Sequence, residues 1–391
     1  MAYGDDSSSR VLGQVWWGRF LVNGLLFFGS VFFALVVGEG IVRTVQPQDL
    51  GNWTYTRDGL TLHLPNMTQF SPRFGHLIVT NSAGMRDHEH NLQKSPGVYR
   101  ILVLGDSFME ANQVEFEDAF VSVLEQRLRD AAGRPIEVVN ASVSGWGTDD
   151  ELIYLMREGI KYRPDLVLVA MTLHNDVSDN LLEEYHEFRN GRIEQRPVFM
   201  VPWPSYLLLK VKEWMASHSH LYHVVLRATR ENWVSTEAKN LELHVGSLLR
   251  RMPDDRMRAG WEMTRQLLQK MRQTADTVNA RVAVTLLPLS VQVYPETLPD
   301  FLASNGLKEA DVDLFKPQDM MKAIGENIGV SIIDLYPVFK DTKAKCSCPL
   351  FVQSDGHWNK LGHQIAAEEA ARGLLHAGLI GPAVTMGKAS R

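Results

Sequence analysis

A serine hydroxyl attacks a carbonyl only when a base removes its proton, so a serine on a turn says little alone. Here Leu104-Gly105-Asp106-Ser107-Phe108 carries Ser107 off the end of an apolar run onto a turn that Gly105 allows to be tight. Far downstream, Ser354-Asp355-Gly356-His357-Trp358-Asn359 sets a histidine two residues after an aspartate, just before the last helical stretch. Such a pair can present Nε2 to a serine while the carboxylate holds Nδ1–H. Two loops lie between. Asn140-Ala141-Ser142-Val143-Ser144-Gly145-Trp146-Gly147 is built of small residues whose backbone N–H groups can approach a ligand closely. Thr172-Leu173-His174-Asn175-Asp176 offers an Asn side chain able to donate to an oxyanion. The four blocks together hold the parts of an acyl-transfer site. Each also has a plainer reading: Ser107 as a helix cap, the middle loops as ordinary strand-to-helix turns, and Ser354 or Asp355 as the cap of the last helix.

Open α/β sheets bind ligands beyond the carboxyl ends of their strands, so these loops require strands to carry them. The sequence supplies them. Short apolar runs at 100–104, 136–139, 166–171, 281–287 and 330–335 alternate with helical spacing over 118–132, 149–162, 260–279, 317–328 and 359–375. Strands apolar throughout, separated by helices, predict an α/β fold with a doubly wound parallel sheet covered on both faces. The interval 178–258 breaks the alternation. Its Trp203, Tyr206, Trp214, Tyr222 and Trp233 among prolines and charges read as a mostly helical insertion over the sheet's functional edge, acting as a lid or as a surface for a membrane or partner.

From Phe20 to Gly38 no residue is charged, and as a helix this run spans about 28 Å, close to the hydrocarbon thickness of a bilayer. Trp16 and Trp17 at its edge suit the interface. A cleaved signal peptide would carry a shorter apolar region and a small-x-small site, which Val37-Gly38-Glu39-Gly40 lacks. The reading is a single-pass anchor through residues 20–38 in the cell membrane, N-terminus inside and main domain extracytoplasmic. The organisation that follows is a disordered tail over 1–14, the anchor over 15–40, a lead-in with short strands over 41–98, the main domain over 99–376 and a tail over 377–391. A net charge of −6 gives no reason to expect a nucleic-acid partner, and the thirteen histidines never fall in a metal-ligand spacing. Cys346 and Cys348 are too few for a disulfide framework and read as two ordinary thiols.

In order and at these strand ends, Gly105-Asp106-Ser107-Phe108, Gly145, Asn175-Asp176, and Asp355 with His357 resemble the SGNH hydrolases, the GDSL esterase/lipase superfamily, over about residues 99–375. The resemblance implies a flavodoxin-like three-layer fold and a serine nucleophile, Ser107, with His357 as general base and Asp355 as its orienting acid. It also implies an oxyanion hole from the Ser107 N–H, the Gly145 N–H and the Asn175 side chain, with no cofactor. Two positions depart from the family pattern. The aspartate usually stands three residues before the histidine, where this chain has Ser354, and His174 replaces a common glycine. The Asp-x-His-Trp order instead resembles SGNH-type O-acetyltransferases of polysaccharide export. His174, Trp146 and Trp358 are candidate substrate contacts. Asn81-Ser82-Ala83-Gly84-Met85-Arg86 looks like the lead-in of membrane-anchored bacterial members and is given no chemistry. The expected function is an esterase acting on O-acyl, chiefly acetyl, esters of envelope glycans or lipids. The alternatives are an O-acyltransferase fed by a membrane acyl-donor protein, and an inactive scaffold.

Overall fold

A strand apolar on both faces is stable only between two covering layers, and the computed structural model is built that way. It describes residues 7–173, 175–182, 185–196, 200–230, 245–353 and 355–381. The chain opens with α1 (Ser7–Val45) and the hairpins β1–β2 (Trp53–Tyr55, Thr61–His63) and β3–β4 (Thr68–Ser71, His76–Val79). Next come β5 (Tyr99–Gly105), α2 (Ser107–Glu110), α3 (Phe120–Ala132), β6 (Ile136–Ser142), α4 (Thr148–Arg157), β7 (Leu166–Thr172) and α5 (Asp176–Asp179). A third hairpin, β8–β9 (His186–Arg189, Arg192–Gln195), precedes α6 (Trp203–His218) and α7 (His220–Arg230). The rest is α8 (Asp255–Asp276), β10 (Arg281–Leu287), α9 (Ser290–Val293), α10 (Leu298–Ser304), α11 (Lys316–Ile328), β11 (Ser331–Asp334), α12 (Tyr336–Lys345) and α13 (Lys360–His376).

Five strands form one parallel sheet in the order β11–β10–β7–β5–β6. Alternate side chains serve opposite layers. Leu102, Leu104, Val167, Val169 and Met171 pack with Leu152, Leu155, Trp261, Leu267 and Met321 of α4, α8 and α11. Ile101, Val103, Leu166, Leu168 and Ala170 pack with Phe120, Leu124, Phe339, Ala366 and Leu374 of α3, α12 and α13. This is the expected doubly wound fold. Its strand order reverses between β5 and β7, which opens the ligand crevice of such sheets at that point.

Strand β6 is an edge, and exposed edge N–H groups invite unwanted pairing. Side chains plug it: Asn140 N–H donates to Asp87 Oδ2 at 2.7 Å and Val138 N–H to Glu125 Oε2 at 2.7 Å. Asp87 is in turn held by His90, whose ring nitrogens lie 2.9 Å from Asp87 Oδ2 and 2.6 Å from Glu137 Oε1. Burial pulls the His90 imidazolium down, but Asp87 and Glu137 outweigh it and hold it at about 9. A raised value contributes stability that is complete below the ordinary histidine value near 6.5 and is lost as pH rises through about 9. Thermal midpoints should therefore fall between pH 7 and 10, and His90→Gln should flatten that alkaline limb; an unchanged slope would remove His90 from the account.

Four expectations change. Residues 7–14 are the first turns of α1 and no tail: Arg10 to Gln14 continue the helical run without a proline, and α1 stops at Val45, just ahead of Pro47. The Arg19–Val45 stretch, whose most apolar window has mean hydropathy 2.4 and no residue buried among the described residues, is long and apolar enough to cross a membrane. Of the expected C-terminal tail, residues 379 and 380 belong to the packed domain. Leu379 and Ile380 are buried, and the Leu379 carbonyl accepts from the Tyr99 hydroxyl at 2.6 Å. The described part of the 178–258 insertion is helical with one hairpin, and its α6 and α7 pack against β1 and α1. Trp233 lies outside the described residues. Cys346 and Cys348 are joined in a disulfide, with Cα atoms 5.2 Å apart where the chain leaves α12 in an extended conformation.

Candidate active site

Gly105 ends β5 where no side chain would fit: a Cβ there would lie 2.6 Å from Met109 Cγ and 3.3 Å from Ala170 Cβ. The next residue, Asp106, caps α2, its carboxylate accepting the Phe108 N–H at 2.9 Å. Ser107 is thus not a cap. Its hydroxyl lies 2.7 Å from His357 Nε2, within hydrogen-bond reach across 250 residues of sequence. The Phe108 ring packs on the His357 ring with centroids 4.8 Å apart and limits its swing.

The last helix is capped by Asn359, whose side chain accepts the Gly362 N–H at 3.0 Å. Asp355 is therefore free of the capping role that the sequence also allowed. One carboxylate oxygen accepts the His357 backbone N–H at 3.1 Å and sits 3.5 Å from His357 Nδ1. The other accepts from Gln113 Nε2 at 3.2 Å and faces Arg73, in the β3–β4 turn, at 3.4 Å. The two-residue spacing thus brings aspartate and histidine together, with the Nδ1 contact longer than a full hydrogen bond.

Behind Ser107, burial raises the Asp106 carboxyl, against the pull of the Phe108 amide, the Thr172 side chain and His357. Glu151 and Asp176, both buried, are raised well above their ordinary values by burial and by the neighbouring acids, Asp106 among them.

The β5–β6 register sets Gly105 opposite Ser142, so the loop after β6 starts beside Ser107. Gly145 takes φ +85, a left-handed conformation that glycine adopts without strain. Its N–H has no partner among the described residues. Asn175 Nδ2 donates to Asp179 Oδ2 at 2.9 Å, which leaves its second hydrogen for another acceptor. His174 and Ser354 lie outside the described residues. Trp146 and Trp358 cannot be substrate contacts. Trp146 is buried, donating Nε1–H to the Thr61 carbonyl at 2.9 Å, and Trp358 is fully buried among Phe108, Phe120 and Phe339. Large flat rings at these positions fill the core.

The lead-in, given no chemistry from sequence, underpins the site. Gly84, at φ +74, passes so close to the His63 carbonyl that a Cβ would lie 2.5 Å from it. The buried Arg86 that follows donates to the carbonyls of Glu110, Ala111 and Val114, closing the end of α2. Glu110 Oε2 accepts the Ser144 N–H at 2.6 Å and lies 3.2 Å from His63 Nε2. The Asn-x-x-Gly turn ahead of Arg86 was a visible signal. Arg73 and Gln113 had none.

A cavity of about 150 Å³ opens beside the pair, lined by Phe108, Thr172, Val245, Leu287, Phe351 and Gly356 among others. Ser107, His357 and Asp355 are thus brought together at the switch point of a parallel sheet. Residues 243–384, which include Asp355 and His357, match the family model of the SGNH hydrolase-like domain of the acetyltransferase AlgX. The matched stretch is about a third of the chain, and it is similar to that domain. No curated protein matches it. Among solved structures, it is similar to TesA (16% identity, 70% of this chain and 97% of that one, TM-score 0.37). It is similar also to an acetylxylan esterase, Axe2, from Geobacillus stearothermophilus (12%, 71% and 94%, TM-score 0.38). The esterase EstA from Pseudoalteromonas sp. aligns at 14% identity over 71% of this chain and 97% of that one, with a TM-score of 0.38.

Proposed function

We propose that this chain is a membrane-anchored serine ester hydrolase that works through an acyl-enzyme on short O-acyl esters, acetyl above all, of envelope glycans or lipids. The observation that carries this reading is the 2.7 Å approach of His357 Nε2 to Ser107 Oγ. Ser107 attacks the ester carbonyl while His357 takes its proton. The tetrahedral intermediate collapses, the alcohol leaves with the proton returned by His357, and Ser107 retains the acyl group. Water, deprotonated by His357, then reverses the sequence and frees the acid. The N–H groups of Ser107 and Gly145 and the Asn175 amide hold the oxyanion, each donor worth on the order of 2.7–4 kcal/mol. The cavity has the size that admits a benzene-like group, which favours short acyl chains. Helix α1 supports the anchor, since none of the described residues buries its most apolar window, and the domain is assigned to the extracytoplasmic side.

Exposure of the full chain to a fluorophosphonate probe tests this. Labelling should occur and vanish in Ser107→Ala; folded protein that labels equally in both, or in neither, overturns the reading and leaves an inactive scaffold.

One observation favours a second acceptor: residues 243–384 match the domain of an acetyltransferase. In that reading a sugar hydroxyl of an exported polysaccharide replaces water, and a membrane protein supplies the acyl group. Incubation with p-nitrophenyl acetate and oligosaccharide separates the two, acetylated sugar as main product marking the transferase.

A further inference from the structure

A helix on a protein surface ordinarily buries its apolar stripe and shows its charges to water. Helix α6 does the reverse. Its polar side meets the protein: Lys210 Nζ lies 2.6 Å from Thr54 Oγ1 on β1, and Glu213 Oε2 accepts from that same hydroxyl at 3.0 Å and pairs with Lys210 at 2.8 Å. Tyr206 joins them, its hydroxyl 3.4 Å from the Tyr55 carbonyl. None of the sixteen residues of α6 is fully buried. At 100° per residue, Trp203, Trp214, Leu207, Val211 and Leu208 fall within one arc of about 140°, and all five are exposed, Trp203 at 64%, Leu208 at 70% and Trp214 at 62%.

What covers this face follows from where α6 is tied. Its end and the start of α7 are clamped to α1 just past the apolar run. The Glu39 carboxylate accepts from Ser219 Oγ at 2.8 Å and from the His220 and Leu221 N–H groups at 3.0 and 2.9 Å, satisfying the open first turn of α7. Arg43 donates to the His218 carbonyl at 2.7 Å. Gly38 leaves only 3.3 Å between a would-be Cβ and Leu221 Cδ2. The apolar run of α1 ends at Gly38, so the α6–α7 junction sits at the level where a spanning α1 would leave the hydrocarbon. An apolar face running the whole length of a helix tied at that level meets lipid along its length only by lying in the plane of the interface. Trp203 and Trp214 near its two ends have the side chain that favours this layer.

We propose that α6 is an interfacial helix of the same bilayer that α1 crosses, seating Trp203, Leu207, Leu208, Val211 and Trp214 at the headgroup–acyl boundary. This rests on the anchor reading above. The consequence is a catalytic domain held at a fixed height and tilt against the membrane by two contacts, where α1 alone would leave it free to swing.

The test uses the full chain with Cys346→Ser and Cys348→Ser, carrying an environment-sensitive nitrobenzoxadiazole on Leu207→Cys, on Leu26→Cys within α1, or on Lys322→Cys at the far surface. Each protein is reconstituted into phosphatidylethanolamine–phosphatidylglycerol vesicles with or without brominated acyl chains. The Leu207 and Leu26 sites should both show blue-shifted emission, loss of emission to brominated lipid and protection from aqueous iodide, while the Lys322 site is quenched by iodide alone. Lipid quenching at Leu26 with none at Leu207 overturns this proposal and leaves the anchor standing. Iodide protection at Leu207 without lipid quenching also overturns it, because a protein then covers the face. Quenching at neither site removes the anchor, and the proposal with it.

Discussion

Replacing His357 by alanine is expected to lower kcat for ester cleavage by ~10⁴–10⁶-fold, the scale seen when a hydroxyl nucleophile loses its base. The geometry gives the reason. His357 Nε2 is the one basic atom in hydrogen-bond reach of Ser107 Oγ among the described residues. Ser107→Ala should fall to a similar rate, and the double variant should fall no further, because nucleophile and base act as a unit. Additive losses would show that the two act separately. Asp355→Ala should cost less by roughly one to two orders of magnitude. Its carboxylate is fixed by Gln113 and Arg73, but it stands 3.5 Å from Nδ1 and acts by orienting and by charge. Single-turnover assays on folded protein, checked by circular dichroism, decide the order of the three.

Much of this could be read from the chain before any coordinates. The strands were legible because a buried parallel sheet forces continuous apolar runs, and Arg281–Leu287 begins and ends as its pattern indicates. Ser107, Asp355 and His357 were legible because each sits at or beside a strand or helix end, where local turn chemistry marks the position. The second capping choice, Asp355 or Ser354, was a local ambiguity that only Asn359's bond to Gly362 resolves. Trp146 and Trp358 failed for a different reason: nothing in an aromatic's sequence neighbourhood tells core from cleft, and both went to core. Arg73, Gln113 and His63 were illegible because their partners lie tens to hundreds of residues away. The inverted face of α6 was hidden for the same reason: which side of an amphipathic helix meets the protein is a tertiary fact, and Thr54 decides it.

Glu110 is where the lead-in reaches the chemistry, and its replacement should be the second most damaging change. Burial alone would push this carboxyl up; His63 and the Ser144 amide outweigh it and hold it at about 2. A depressed value contributes stability that is present above the ordinary glutamate value near 4.5 and is lost as pH falls through about 2. Glu110→Ala should cost about 3–5 kcal/mol, the range for breaking a buried pair, since it removes the carboxylate 3.2 Å from His63 and leaves the Ser144 N–H without its acceptor. It should also lower kcat, with KM little changed, by on the order of 10²-fold, the effect of one lost oxyanion donor, because freeing Ser144 lets the adjacent Gly145 N–H drift from the oxyanion. Glu110→Gln supplies the discriminating comparison. Its amide oxygen can still accept the Ser144 N–H, so kcat should recover most of its value while the acid limb of the stability curve stays flattened. A glutamine variant as slow as the alanine one would refute the positioning role and leave Glu110 a structural residue only; recovery of rate without recovery of acid-dependent stability separates the loop it aims from the fold it holds.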